Sequence, residues 1–261
     1  MRVLVVMNFG PDEATPQRGR WVVDQVEALR DLGVDVELLS FPPGRDQYLP
    51  ATRRIRKLLR QERFDLVHAH YGLAGWCALL AGADPLVVTF HGTDVRHRVV
   101  GPGSRLLARR LALTAGASSA LFGDEAGRTG LPLIPGRNAV LPCGADLSRF
   151  APQSRREARS ALGLDPDRRY LFFPADPARP EKRVDRARQV AELAGIEMLA
   201  GGGIEPARMS TWMNAADAVL VTSDYEGFGL ACLESLSCEV PVMSTPVGIA
   251  PSLIGSLPNT L

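Results

Sequence analysis

Short apolar runs alternate with amphipathic stretches along nearly the whole chain, and this alternation constrains the fold more than any other feature. A strand with apolar residues on both faces must be covered on both faces, as in a parallel sheet flanked by helices. Val3 to Met7 is such a run. After a polar, Pro-containing loop, Val22, Val23, Val26, Leu29 and Leu32 recur at helical spacing, and Gly33 ends the helix. Val34 to Leu39 reads as the second strand. Ile55, Leu58 and Leu59 stripe a helix that leads into Asp65-Leu66-Val67-His68. Leu86 to Phe90 is another buried strand, and Leu106, Leu107 and Leu111 mark the next helix. Ser118 to Phe122 and Ala139 to Leu141 complete the first series.

The character changes around Pro142. Gly144 to Arg159 is polar and mixed in charge, with a Phe150-Ala151-Pro152 break, and reads as an interdomain connection. A second series follows: strand Tyr170 to Phe173, helix Val184 to Leu193, strand Ile196 to Leu199, helix Met209 to Ala215. It closes with strand Ala218 to Val221, helix Gly229 to Ser237 and strand Val240 to Met243. The expectation is an α/β chain of two doubly wound domains, 1–150 and 151–261, facing each other across a cleft. In such sheets, ligands bind at the carboxyl ends of the strands.

Composition narrows the function. Thirty basic and 29 acidic residues give a formal charge of +1, which provides no bulk attraction to nucleic acid. Cys77, Cys143, Cys232 and Cys238 form no close pair and no zinc spacing, and read as buried apolar residues in a reducing compartment. The opening Val3-Leu4-Val5-Val6 is too short for a signal segment, and no apolar run reaches membrane-span length, so the expected location is the cytoplasm. No G-x-G-x-x-G follows the first strand, against a redox dinucleotide enzyme.

The most informative stretch is Tyr225-Glu226-Gly227-Phe228-Gly229-Leu230-Ala231-Cys232-Leu233-Glu234. A strand delivers the chain to the sheet edge, two glycines let the backbone approach a ligand, and the next helix aims its free N–H groups at the turn, ready for phosphate. From spacing alone, a strand-turn-helix with one capping and one surface glutamate fits equally well.

This stretch resembles the Glu-(seven residues)-Glu motif of the family 4 retaining glycosyltransferases, whose fold, GT-B, pairs two Rossmann-like domains. Ala215-Ala216-Asp217 and Pro241-Val242 stand where that family has its flanking signatures. The resemblance implies that Glu226 faces the donor sugar and that Glu234 binds the ribose hydroxyls. The amides of Gly227, Phe228, Gly229 and Leu230 would hold sugar hydroxyls and the diphosphate. Arg179-Pro180-Glu181-Lys182 resembles the family's basic diphosphate clamp; Lys182 aligns, while Pro177 stands where the family's arginine commonly lies, five residues before that lysine. Arg179 would take that role, and Arg183 reads as a charged helix start. Cations there neutralise the leaving group without a metal or cofactor.

His91-Gly92-Thr93-Asp94 resembles the family's first-domain histidine motif, whose His contacts the transferred sugar. His68 and His70 fall on one face of a strand end, in structural or acceptor-side roles rather than as metal ligands; His97 reads as surface. Gly19, in Gln17-Arg18-Gly19-Arg20, occupies the loop where relatives carry glycines near the donor phosphate and acceptor. Pro142 to Phe150 resembles the family's hinge, and Gly201-Gly202-Gly203 reads as a permissive turn.

The motif set looks closest to bacterial enzymes of teichuronic-acid and capsule synthesis, implying a nucleotide-sugar donor and a glycan or lipid-linked acceptor. The basic helix Arg53-Arg54-Ile55-Arg56-Lys57-Leu58-Leu59-Arg60 reads as a solvated face, with peripheral contact to an anionic membrane left open. The chain stops soon after Pro251-Ser252-Leu253-Ile254, where relatives continue. A non-catalytic nucleotide-sugar-binding remnant is therefore the rival expectation, and a GT-B sugar-nucleotide epimerase the next.

Overall fold

The computed structural model describes residues 1–11, 18–123 and 130–254. Two compact units divide at Cys143 and Gly144.

The first unit runs β1 (Arg2–Met7), α1 (Arg20–Asp31), β2 (Asp35–Ser40), α2 (Tyr48–Gln61), β3 (Leu66–His70), α3 (Gly72–Ala81), β4 (Leu86–Phe90), α4 (Thr93–Arg96), α5 (Val100–Arg110), β5 (Leu113–Gly116) and β6 (Asn138–Val140). Its strands are all parallel, in the order β2-β1-β3-β4-β5-β6. Val3, Val5 and Met7 pack with Val22 and Val26 of α1 on one face. Leu4 and Val6 are sealed as well, as a strand covered on both sides requires.

The fifth strand corrects the sequence reading: it is Leu113–Gly116, and Ser119–Leu121 is a single 3₁₀ turn. Phe122, the large apolar residue of that stretch, follows the turn rather than belonging to the strand. A Cβ on Gly116 would lie 2.7 Å from the Phe122 ring, so that ring folds back onto the glycine of the real strand.

The second unit continues with α6 (Arg155–Ala161), β7 (Tyr170–Phe173), α7 (Val184–Ala194), β8 (Glu197–Ala200), α8 (Met209–Ala215), β9 (Ala218–Val221), α9 (Leu230–Ser237), β10 (Val242–Ser244) and α10 (Ala250–Ile254). Its parallel sheet has the order β10-β9-β7-β8. Tyr170 and Phe172 enter one core with Met213 and Val219, while Leu171 and Phe173 enter the other with Ala187 and Leu220. Phe150 packs into this unit's core.

The end of the expected connection, Arg155 to Arg159, is likewise helix rather than linker. Arg159 is buried there: its guanidinium donates to Asp217 Oδ2 (2.7 Å) and to the Ala215 carbonyl (2.9 Å). Asp217 also accepts from the Tyr170 amide at 2.8 Å and from Arg155 at 3.0 Å. The Ala-Ala-Asp signature thus ties α6 to the start of β7, a structural role.

Both sheets contain a point where the strand order reverses, between β1 and β3 and between β7 and β9. Connections on the two sides of such a point diverge, leaving a crevice at the strands' carboxyl ends.

Candidate functional site

In the second unit, the loops leaving β7 and β9 flank the reversal point. The β7 loop brings Arg179–Lys182, and the β9 loop brings Ser223 to Gly229. Several hydrogen bonds join them. Thr222 Oγ1 donates to the carbonyls of Lys182 (3.0 Å) and Arg183 (2.9 Å), and the Asp224 amide donates to Glu181 (2.9 Å).

On this frame Lys182 Nζ lies 2.5 Å from Glu226 Oε1, which also accepts from Ser223 Oγ at 2.7 Å. Lys182 and Glu226 are 14% and 15% exposed, so the pair is only lightly screened. An ammonium has three N–H donors and a carboxylate a second oxygen. Among the described residues, Lys182 spends one donor on Glu226, and Glu226 Oε2 has no partner. The pair therefore presents both cationic donors and an anionic acceptor at one place.

Gly229 caps α9 in the left-handed region (φ 92°), which a side chain rarely adopts. A Cβ there would touch Glu226 at 3.9 Å, an ordinary contact, so the left-handed backbone rather than crowding is what favours glycine. Among the described residues, the amides of Phe228, Gly229 and Leu230 have no hydrogen-bond partner. They stand at the positive end of the helix dipole. Behind this turn, the Ile249 amide donates to the Phe228 carbonyl at 2.7 Å, and Gly248 presses against the same carbonyl. Glu234 lies about one turn into α9, partly buried. Arg179 is half-exposed and directs its guanidinium to Glu181 at 2.5 Å.

The first unit holds a separate cluster at the ends of β3 and β4. Alternation places His68 and His70 on one face, with ring centroids 4.3 Å apart. His70 Nδ1 lies 3.0 Å from His91 Nε2, and His68 Nε2 lies 2.7 Å from Thr89 Oγ1. Burial lowers all three imidazole pKa values: His68 to about 4, His91 to about 3 with help from His68, and His70 well below its usual value. The rings are neutral at pH 7, and among the described residues no His/Cys/Asp/Glu group suits a metal ion.

Asp94 anchors the loop by accepting from the amides of His91, Gly92 and Gly72, each at 3.0 Å. Burial raises its pKa to about 6 despite those bonds. Tyr71 turns its ring onto His91 (4.8 Å) from a backbone at φ 73°, a conformation costing about 1–3 kcal/mol for a residue with a side chain. Gly19 takes a left-handed φ of 66° before α1, and a Cβ there would fall 1.9 Å from the Phe9 carbonyl. Gln17 lies outside the described residues.

The sequence reading thus located Lys182, Glu226 and the Gly227–Leu230 turn, which the structure brings together at one sheet edge. His91 and Gly19 lie in the first unit. Ser223, Tyr71 and the anchoring role of Asp94 escaped it. Asp94 alone had a signal, since an Asp just after His-Gly at a helix start commonly accepts backbone N–H bonds.

Residues 30–149 match the family profile "Glycosyltransferase Family 4", and residues 181–259 match "Glycosyl transferases group 1". The fold is GT-B. The structure aligns over 97% of the chain with sucrose-phosphate synthase from Thermosynechococcus elongatus (TM-score 0.72, 17% identity, 84% of that chain). It aligns over 99% with the catalytic domain of starch synthase IV from Arabidopsis thaliana bound to ADP and acarbose (TM-score 0.71, 13% identity, 86% of that chain). In sequence, the chain is 29% identical over 232 residues to D-inositol 3-phosphate glycosyltransferases of Mycobacterium bovis and Mycobacterium tuberculosis. That match covers 72% of this chain and 48% of the relatives, so the chain spans about half the length of the curated relatives it matches. Each unit thus matches a glycosyltransferase profile, and the fold is the one shared with these structures.

Proposed function

We propose that the chain acts as a retaining glycosyltransferase that takes a sugar from a nucleotide-diphosphate donor and passes it to a hydroxyl of a glycan or lipid-linked acceptor in cell-surface polysaccharide synthesis. One observation supports this most: the Lys182–Glu226 pair at the reversal point of the second sheet, with spare donors on one member and a spare acceptor on the other. Phosphate oxygens match the Lys182 N–H groups and the amides of Phe228, Gly229 and Leu230. Sugar hydroxyls match Glu226 Oε2, and ribose hydroxyls are assigned to Glu234. Arg179 adds charge to the diphosphate after leaving Glu181. His91 is given contact with the transferred sugar, and Gly19 close backbone approach near the phosphate.

In the proposed reaction the bond between the anomeric carbon and the phosphate oxygen breaks, and its electron pair stays on that oxygen. The acceptor hydroxyl attacks from the same face, and its proton passes to the departing phosphate. Lys182 and the helix amides stabilise the charge that develops there, so the donor is a substrate and neither metal nor cofactor is called for. No helix of the described residues is long and apolar enough to cross a membrane. A cytoplasmic site of action, with the exposed cations of α2 against an anionic inner membrane face, completes the proposal.

The test is a thermal-shift panel of UDP-, GDP- and ADP-sugars, repeated with Lys182→Ala and Glu234→Ala. A shift with one donor class that both variants abolish is expected; a shift that neither variant alters refutes the site. Product of inverted anomeric configuration refutes the retaining step, and tight donor binding without transfer favours the non-catalytic binding reading.

A further inference from the structure

His70 lies beneath His91 and has no place in the function proposed above. Its backbone is fixed on both sides, paired with Met7 of β1 and Thr89 of β4. Its Nδ1 meets His91 Nε2 at 3.0 Å, in rings that are nearly parallel (23°). Its other nitrogen, Nε2, is buried and has no hydrogen-bond partner among the described residues. The residue itself is 1% exposed.

Those facts restrict where the protons sit. Each neutral ring carries one N–H, and the bond between the rings needs one donor and one acceptor. If His91 Nε2–H were the donor, His70 would carry its own proton on Nε2, leaving a sealed N–H with no acceptor. Orphaned buried N–H groups are rare because they forfeit their hydration without replacement. If His70 Nδ1–H is the donor, its Nε2 keeps only an unprotonated lone pair, and every N–H of the pair has somewhere to go. His91 must then hold its proton on Nδ1, the nitrogen without a partner among the described residues, on a ring that is only partly buried.

We propose that His70 is a positioning residue that fixes the tautomer of His91, donating Nδ1–H to His91 Nε2 so that His91 presents Nδ1–H as a dedicated donor. His91 then recognises an oxygen lone pair at that position and cannot accept a proton from a ligand hydroxyl there. Tyr71 and Trp21, with ring centroids 4.8 and 5.9 Å from His91, limit rotation of the ring that would undo the choice. In the reading of the chain as a glycosyltransferase, on which only this last step rests, the partner is a hydroxyl oxygen of the transferred sugar.

The test is NMR of the full chain labelled with nitrogen-15 at histidine, without any ligand. Coupling across the hydrogen bond between the rings identifies both nitrogens and shows which one bears the proton. The expected result is His70 Nδ1–H bonded to an unprotonated His91 Nε2. In His70→Phe, His91 should shift largely to the Nε2–H form, whereas His70→Asn, which offers an N–H near the same place, should restore the Nδ1–H form. A proton on His91 Nε2 in the unaltered protein, no coupling between the rings, or an unchanged tautomer in His70→Phe would each overturn the proposal. If His70→Phe does not fold, the measurement on the unaltered protein decides. Failure of donor binding with the tautomer as expected would refute the glycosyltransferase reading and leave this one standing.

Discussion

Replacing His68 with Gln removes a buried imidazole while leaving an amide that can still reach Thr89. In the native protein the His68 pKa falls from 6.5 to about 4 because burial penalises the charged ring. The unfolded chain therefore takes up a proton below pH 6.5 that the folded chain refuses. The associated stability is intact above pH 6.5 and is lost as the pH falls from there toward 4. The full shift corresponds to about 3 kcal/mol, of which about 2 kcal/mol is lost between pH 7 and pH 5. Asp94 works in the opposite sense. Its folded pKa is raised from 3.8 to about 6, so its contribution is complete below 3.8 and is lost as the pH rises through about 6. Absolute pH profiles mix these terms, but the difference between wild type and His68→Gln cancels Asp94 and every group His68 does not touch; for His70 and His91, which His68 lowers further, burial is the larger cause and persists in the variant. The assay is urea unfolding at pH 7 and pH 5, read by hydrogen exchange of the β3 and β4 amides so that the first unit is followed separately. Wild type should lose about 2 kcal/mol more than the variant between the two pH values. A difference below about 0.5 kcal/mol, within the usual scatter of additive comparisons, would refute the picture of a buried neutral His68.

Two further predictions concern the second unit. Gly248 has φ 55°, and a Cβ there would lie 2.2 Å from the Phe228 carbonyl and 3.0 Å from Glu226 Cβ. Gly248→Ala should destabilise the unit by about 1–3 kcal/mol in denaturant unfolding and weaken nucleotide-sugar binding; unchanged stability would mean that this contact is not made. Asp217→Ala would leave the buried Arg159 guanidinium without its carboxylate, at a cost of about 3 kcal/mol. Because the Asp is structural, donor affinity measured well below the unfolding midpoint should stay within a few-fold of wild type.

The fold was largely legible in the sequence because doubly wound sheets repeat one local code. Apolar runs such as Val3 to Met7 and Tyr170 to Phe173 can be satisfied only with a layer on each face, and local spacing separates strand from helix. Where that code is weak, the reading failed. Thr114, Ala115 and Gly116 are too small to announce a strand, and the conspicuous Phe122 follows the turn that covers them. Arg155 to Arg159 looked like a polar linker because the partner that buries Arg159, Asp217, lies 58 positions further along.

The same division holds at the candidate site. The sequence by itself determined which residue types reach the sheet edge: a glutamate, two glycines and a helix start after one strand, and a lysine after another. Those are local consequences of strand-turn-helix geometry. Only the tertiary structure decided that Lys182 and Glu226 meet at 2.5 Å, because β7 and β9 are neighbours in the sheet although β8 lies between them in sequence. Tertiary packing likewise stacked His68, His70 and His91 into one neutral cluster. Burial, and hence charge state and tautomer, depends on what covers a residue from distant parts of the chain, and no local pattern specifies it.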